Sequence, residues 1–370
     1  MFNQWFKKEM PFRGLTGFGG GSTGLASSSG DAWEEAGITA TGGTVVNGQE
    51  NPDGTPYTWH VFPGGPRGPV SPMPYTFSVS AVSGPGKIEY IMVAGGGLGG
   101  VSPNPDPGSP TGYGGAGGGG AGGVICNFQS PPANPGSNHP FYPVSPGVMT
   151  VSASPGSYAI EVGRAGGGNP APERNGKDTT FNGLTAKGGG AGARSGSGLS
   201  AQPGGSGGGG SASATSGSGP NSPTQGNAGG DGNPGNALEG NGGGGGGAGG
   251  AGQTPPSATG GVGIMFDDAG YFKLGSAIGG IADNPTQPTY RYLAGGGGGG
   301  GTSDNSGNPP GIGGYGGGGD SSNPGNNPGS GGSADNWSGG GGGAAGGGSN
   351  TMPGGLGGQG MLFIRYIKNS

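Results

Sequence analysis

The sequence has little of what a conventional globular domain is built from. Charged residues are 9% of the 370, against roughly 25% in typical domains. The formal net charge of -5 is too small to indicate charge-driven disorder. No basic stripe is present, so phosphate neutralisation, and with it nucleic-acid binding, has no support. One cysteine, Cys126, has no partner in the chain, which excludes an intrachain disulfide framework and a thiolate zinc site. No apolar run approaches the roughly 20 residues that cross a bilayer, so membrane insertion is not expected. No signal-peptide pattern is seen, and a protein of this kind working outside a cell is expected to leave by another route than ordinary secretion.

Catalytic chemistry is equally thin. The two histidines are His60 and His139, and neither has local metal-ligand spacing. His60 lies in a strand pattern between Trp59 and Val61 and reads as structural. Asp267-Asp268, followed by Ala-Gly between two strand runs, reads as a turn rather than a carboxylate pair. The glycine runs lack the Gly-Lys-Ser/Thr ending and strand–loop–helix setting of a phosphate loop, and no EF-hand spacing occurs. No enzyme activity, cofactor or metal is expected.

What the chain does have is glycine, 109 residues, about four times the usual share and without the Gly-X-Y register of collagen. Runs such as 242–247 and 295–301 have no side chains for a core. Such a tract is either a disordered linker, because ordering glycine carries the largest backbone entropy cost, or it folds on backbone hydrogen bonds alone. Three-residue-per-turn polyproline II geometry points N–H and C=O groups sideways to neighbours, and glycine lets rods approach without Cβ clashes. The flanking sequence favours the second outcome. Apolar strands border the glycine tracts, and they repeat. Tyr-Ile-Met-Val-Ala-Gly-Gly-Gly (90–97) matches Tyr-Arg-Tyr-Leu-Ala-Gly-Gly-Gly (290–297). Gly-Val-Gly-Ile-Met-Phe (261–266) matches Gly-Gln-Gly-Met-Leu-Phe (358–363). A linker needs no matched apolar borders, whereas a lattice must be anchored and covered.

The expected fold is mostly β and irregular, with short strands flanking layered polyglycine II rods, antiparallel or mixed, and almost no α-helix. The expected organisation is an N-terminal attachment segment and linker (1–41), a β-rich region (42–94), a first strand–lattice–strand unit (95–266) and a shorter second one (267–370). In each unit the closing strand is expected to return beside the opening one. Strands are expected at 44–46, 57–62, 75–82, 88–94, 124–128, 143–152, 156–162, 262–266, 271–274, 290–294 and 361–367, with Asn-Gly turns around Phe181. The near-continuous apolar run of 88–94 implies burial on both faces. One helical turn is expected at 31–36. A valine within 242–247 is expected to damage folding more than the same change at Ser211.

Two sets of residues stand out for recognition. Phe2, Trp5, Phe6 and Met10 fall at helical spacing before Pro11 and read either as a docking peg for a partner or as a short helix packed on its own body. Islands between glycine runs become loops at the ends of rigid rods, the usual place for binding residues. Tyr113, Phe128, His139, Phe141, Tyr142, Tyr315 and Trp337 lie in these neutral surroundings. Aromatics beside Asn and Ser suit sugar or protein surfaces. The alternative is that each covers a neighbouring rod.

The framework of 90–97, Gly-Ser-Tyr-Ala-Ile-Glu-Val-Gly (156–163), Thr-Thr-Phe-Asn-Gly-Leu-Thr-Ala-Lys-Gly-Gly-Gly (179–190) and Gly-Gln-Gly-Met-Leu-Phe-Ile-Arg-Tyr (358–366) resembles the glycine-rich domains of bacteriophage tail fibres and tail-tip adhesins, common in phages of marine bacteria and cyanobacteria. The resemblance covers about residues 55–367. It implies a polyglycine II sandwich on the virion surface whose variable loops bind a host surface glycan or outer-membrane protein. It also implies attachment to other virion proteins through residues 1–12 and a homo-oligomeric assembly. A purely structural virion protein, such as a head fibre, decoration or tail-assembly component, is the alternative.

Overall fold

The computed structural model describes residues 37–50, 56–65, 71–102, 114–127, 149–167, 174–196, 199–220, 225–234, 240–267, 283–284, 287–301, 309–322, 331–335, 338–347 and 352–367. The described residues contain strands, turns and extended segments and no α-helix. The expected helical turn at 31–36 and strand at 271–274 lie outside them.

Fourteen strands form three sheets among the described residues. The first sheet has the order β1 (Ile38–Thr41), β4 (Met73–Val82), β8 (Ser157–Val162), β9 (Thr179–Phe181), β10 (Leu184–Ala186). The second runs β2 (Thr44–Glu50), β3 (Pro56–Pro63), β14 (Met361–Ile367), β5 (Lys87–Val93), β6 (Val124–Cys126), with β7 (Met149–Thr150) also paired to β5. The third is β11 (Ile264–Asp267), β13 (Gln287–Leu293), β12 (Asp283–Asn284). Strand β1 is not apparent in the sequence. Four residues directly after a polar, glycine-rich stretch give too little alternation to detect, and Ile38 is its one side chain in the core.

The second sheet is the middle layer, because its two faces enter different apolar clusters. Ile88, Tyr90 and Met92 of β5 with Leu362, Ile364 and Tyr366 of β14 pack against Phe77, Val79, Ile160 and Phe181 of the first sheet. Ile91 and Val93 with Met361 and Phe363 pack on the other side against Ile264 and Leu293 of the third. Residues alternate faces along a strand, so a strand covered on both sides has no polar face to show. This accounts for the near-continuous apolar runs of β5 and β14, interrupted within the strands only by Glu89 and Arg365, which pair with each other.

The strand pairing differs from the expected one. Opening strand β5 pairs with β14, which closes the second unit, and β13, which opens the second unit, pairs with β11, which closes the first. The registers are equivalent: Val93 faces Met361 as Leu293 faces Ile264. The units are therefore nested through exchanged partners rather than laid side by side. The two sets of border motifs are near-copies, so neither strand carries a preference that separates one partner from the other.

At the glycine borders the strands run on as rods. A strand bonds in one plane and side chains hold stacked sheets about 10 Å apart. Once side chains disappear, layers can close up only if the backbone bonds in every lateral direction. Rod 114–123 shows this with a period of three. Gly115, Gly118 and Ala121 donate N–H bonds to the carbonyls of Gly240, Gly243 and Gly246, at 2.8, 2.9 and 2.9 Å. Ala116, Gly119 and Gly122 donate to Ala345, Gly342 and Gly339, and Gly117, Gly120 and Gly123 donate to Ala193, Gly190 and Lys187. Its carbonyls accept from three further rods, through Gly97 and Gly100, Gly209 and Ala212, and Gly297 and Gly300. Successive amides thus face three neighbours about 120° apart, the polyglycine II arrangement with three residues per turn. Six rods surround this one, and residue numbers run parallel only with 240–246 among the three acceptors.

Glycine is required here by space rather than by backbone angle. At Gly115, Gly117, Gly118, Gly119, Gly120 and Gly122 an added Cβ would meet a neighbouring rod's carbonyl oxygen well inside 3.0 Å. The hydrogen now in that direction makes a weak Cα–H···O contact instead. Alanine enters the rod only at Ala116 and Ala121, both fully buried.

Candidate functional site

The rods have two ends. One adjoins the sheets. The other lies where chains leaving the sheets stop and turn: Ser102 and Gly114 flank one departing segment, Gly301 another, and Gly240, Gly347 and Met352 border others. The level is fixed by bonds from Gly100 to Gly117, Gly117 to Ala193, Gly300 to Ala116 and Ala345 to Gly100. Tyr113 belongs to the segment between Ser102 and Gly114, which starts and finishes at this far end. Phe128, His139, Phe141 and Tyr142 belong to the segment between Asn127 and Met149, whose anchors bond to β5 at the opposite, sheet end. Trp337 sits in sequence between Asp335 and Ser338, and Ser338 accepts from Ala294 where β13 becomes a rod. These six residues, like Phe2, Trp5, Phe6 and Met10, lie outside the described residues.

Tyr315 is described. Its ring packs 5.6 Å from that of fully buried Tyr292, and its carbonyl accepts from Gly263 at 2.7 Å. It stands in a turn beside the third sheet, with 37% of its surface exposed. The ring thus contacts the buried Tyr292 while remaining partly open to solvent.

His60 has a structural environment. It is fully buried on β3 against Phe62, Phe77 and Tyr366. Nδ1 lies 2.8 Å from the Gly42 carbonyl, which can only accept, so Nδ1 carries the proton and Nε2 accepts from the Tyr366 hydroxyl at 3.0 Å. Burial pulls its pKa below 6.5, opposed by the Gly42 bond. The unfolded chain therefore binds the extra proton more readily. His60 contributes its full stability above pH 6.5 and loses it as pH falls from there through the lower folded value. Denaturation midpoints between about pH 5 and 8 are expected to fall on acidification, with a shallower slope in His60→Gln. Equal slopes would show that His60 stays neutral in neither state, or in both. Cys126 is also buried, its thiol pushed up to about 12 by desolvation, which leaves it unreactive.

A class of functional side chains escapes sequence reasoning altogether. Polar residues inside or beside the glycine tracts substitute for missing backbone partners at rod and sheet edges. Asn127 extends β6 by accepting from Tyr90 N–H at 2.8 Å and donating to Ile88 at 2.9 Å. Gln225 covers the edge of β10, accepting from Lys187 N–H at 2.8 Å and donating to Thr185 at 3.1 Å. Asp178, Asp231 and Asp320 each accept from a glycine amide at 2.8 Å. For Asp231 and Asp320 the signal available was a lone Asp directly after consecutive glycines; Asn127, Asp178 and Gln225 carry no such mark. Such residues are as much lattice as loop.

No charged or nucleophilic constellation resembling an active site is formed by the described residues. The built feature is a rigid body with chain segments leaving both ends. A family model described as a glycine-rich domain matches residues 70–367. No curated protein matches the chain. The matched span takes in the middle sheet's β5 and β14 and every rod, so this chain belongs to the glycine-rich domain family.

Proposed function

We propose that the protein is a non-enzymatic bacteriophage virion protein, a receptor-binding adhesin that presents variable segments on a glycine lattice to a host surface glycan or outer-membrane protein. The observation that carries this reading is the far end of the lattice. Rods bonded laterally in three directions stop there together, and segments 103–113, 302–308 and 348–351 leave from anchors held at fixed spacing. Rigid presentation lowers the ordering cost of binding, and several copies in a homo-oligomer turn weak contacts into avidity. Phe2, Trp5, Phe6 and Met10 are proposed to attach the chain to other virion proteins.

A purely structural virion role is the second reading. It is favoured by one observation: the candidate aromatics do not share an end, since the segment holding Phe128, His139, Phe141 and Tyr142 is anchored at the sheets. The two readings separate when segments 103–113 and 302–308 are replaced by Gly-Ser of equal length. Adsorption to cells of the producing culture is expected to fall roughly tenfold or more, because avidity multiplies each loss, with an unchanged melting temperature. Unchanged adsorption with intact folding would end the adhesin reading in favour of the structural one.

A further inference from the structure

Among the described residues, buried polar atoms without a partner concentrate near the far end of the lattice. Arg174, only 5% exposed, donates through Nη2 to the Gly192 carbonyl, while its Nε has no partner among the described residues. The buried Nε of Arg194 also has none, and neither do the hydroxyls of Ser195 and Ser102, residues that are fully buried. Backbone bonds bring these residues together. Leu98 donates to the Arg174 carbonyl and accepts from Gly192, and Ser195 donates to Val101, the neighbour of Ser102. Arg194 follows Gly192 by two residues, roughly 6 Å at the rise of such a rod.

Two arginines thus lie close together, Arg174 buried and Arg194 half-buried with its Nε out of solvent. Desolvation first, and then the nearby Arg194, push the Arg174 pKa down. The described ion pairs, Lys187–Asp178 and Arg365–Glu89, lie elsewhere. Unpaired buried charge is strongly unfavourable, and buried donors left unmade are rare in folded proteins. A water would satisfy the hydroxyls but not offset like charge.

We infer that Arg174, Arg194, Ser102 and Ser195 form a binding site for an oxyanion of the phosphate or carboxylate type. Arginine is suited to such groups because its planar fork matches their oxygens, and the serine hydroxyls add neutral donors. The site does not depend on the adhesin reading, since a purely structural lattice would need the same counter-charge. The anion comes either free from solution or pendant on an acidic polysaccharide.

The test is thermal unfolding of the full chain at constant ionic strength, titrated with inorganic phosphate, with a uronic-acid oligosaccharide and with a neutral oligosaccharide. The wild type is expected to gain a saturable rise in Tm, about 2–4 °C, from at least one anionic probe by mass action. In Arg194→Gln the rise is lost, while Tm without anion is equal or higher, because the like-charge contact is gone. Arg194→Lys, which keeps the charge, retains a rise and serves if the glutamine variant does not fold. A response to phosphate identifies the free ion as a source, and a response to uronate alone identifies the pendant acid. Identical responses in wild type and Arg194→Gln would reveal a general salting effect and overturn the proposal, as would no response of the wild type to either anion.

Discussion

A chain stopped at Gly360 is expected to show no cooperative unfolding transition. The lost strand, β14, is the centre of the middle sheet rather than an edge. It pairs with β3 from Met361↔Pro63 to Ile367↔Tyr57, and with β5 from Met361↔Val93 to Arg365↔Glu89. Met361 and Phe363 belong to one apolar cluster, and Leu362, Ile364 and Tyr366 to the other. Removing five buried side chains forfeits about 10 kcal/mol at roughly 2 kcal/mol each, comparable with a whole domain's stability of about 5–15 kcal/mol. It also strands Glu89, whose partner is Arg365, itself packed 4.4 Å above the Tyr57 ring. Calorimetry of the truncated chain checks this. A sharp transition near the wild-type temperature would mean that the second unit folds apart from the first and that the exchanged pairing is wrong. Phe363→Ala is a milder form of the same test, with an expected loss of about 3–5 kcal/mol.

That exchange marks the limit of what the sequence reveals. Many of the strands were legible: β5 as a near-continuous apolar run, β14 as the closing strand 361–367, and β8 as the alternation of Tyr158, Ile160 and Val162, while of β9–β10 only the Asn182-Gly183 turn between them was. The rods were legible as a class, because glycine bordered by matched apolar strands has few other uses. Which rod touches which was not, since glycine carries no side-chain pattern to specify a neighbour. The partner of β5 was hidden for the opposite reason: Ile264-Met-Phe and Met361-Leu-Phe are interchangeable in size and hydrophobicity, and only the connection lengths and the lattice between them decide. Arg194 stands in sequence among Gly, Ala and Ser, and Arg174 directly follows Glu173. Their proximity depends on two rods meeting beside Leu98, which no spacing along the chain encodes.

The second large effect concerns the glycines. An added Cβ at Gly245 would collide with the carbonyl of Gly119, the same oxygen that accepts from Gly297 at 2.9 Å. Backbone on both sides leaves no flexible side chain to yield, so the rods must part or the bond must break. Overpacking a rigid interior costs about 1–3 kcal/mol or more, and here a hydrogen bond is lost as well. Ser211 makes a poor comparison, because it is buried and its hydroxyl donates to Arg194 and accepts from Ala214. Gly219 is the better one: it is exposed, and an added Cβ there meets nothing within 4 Å.

Thermal melts of Gly245→Val and Gly219→Val, run side by side on the full chain, therefore test the lattice most directly. The lattice predicts a fall on the order of 10 °C for Gly245→Val, from about 3 kcal/mol or more of strain. It predicts a shift within about 2 °C for Gly219→Val, a surface change with no clash. Equal melting temperatures for the two variants would contradict it, because a tract of glycines that accepts valine without loss is not held together by rods in backbone contact.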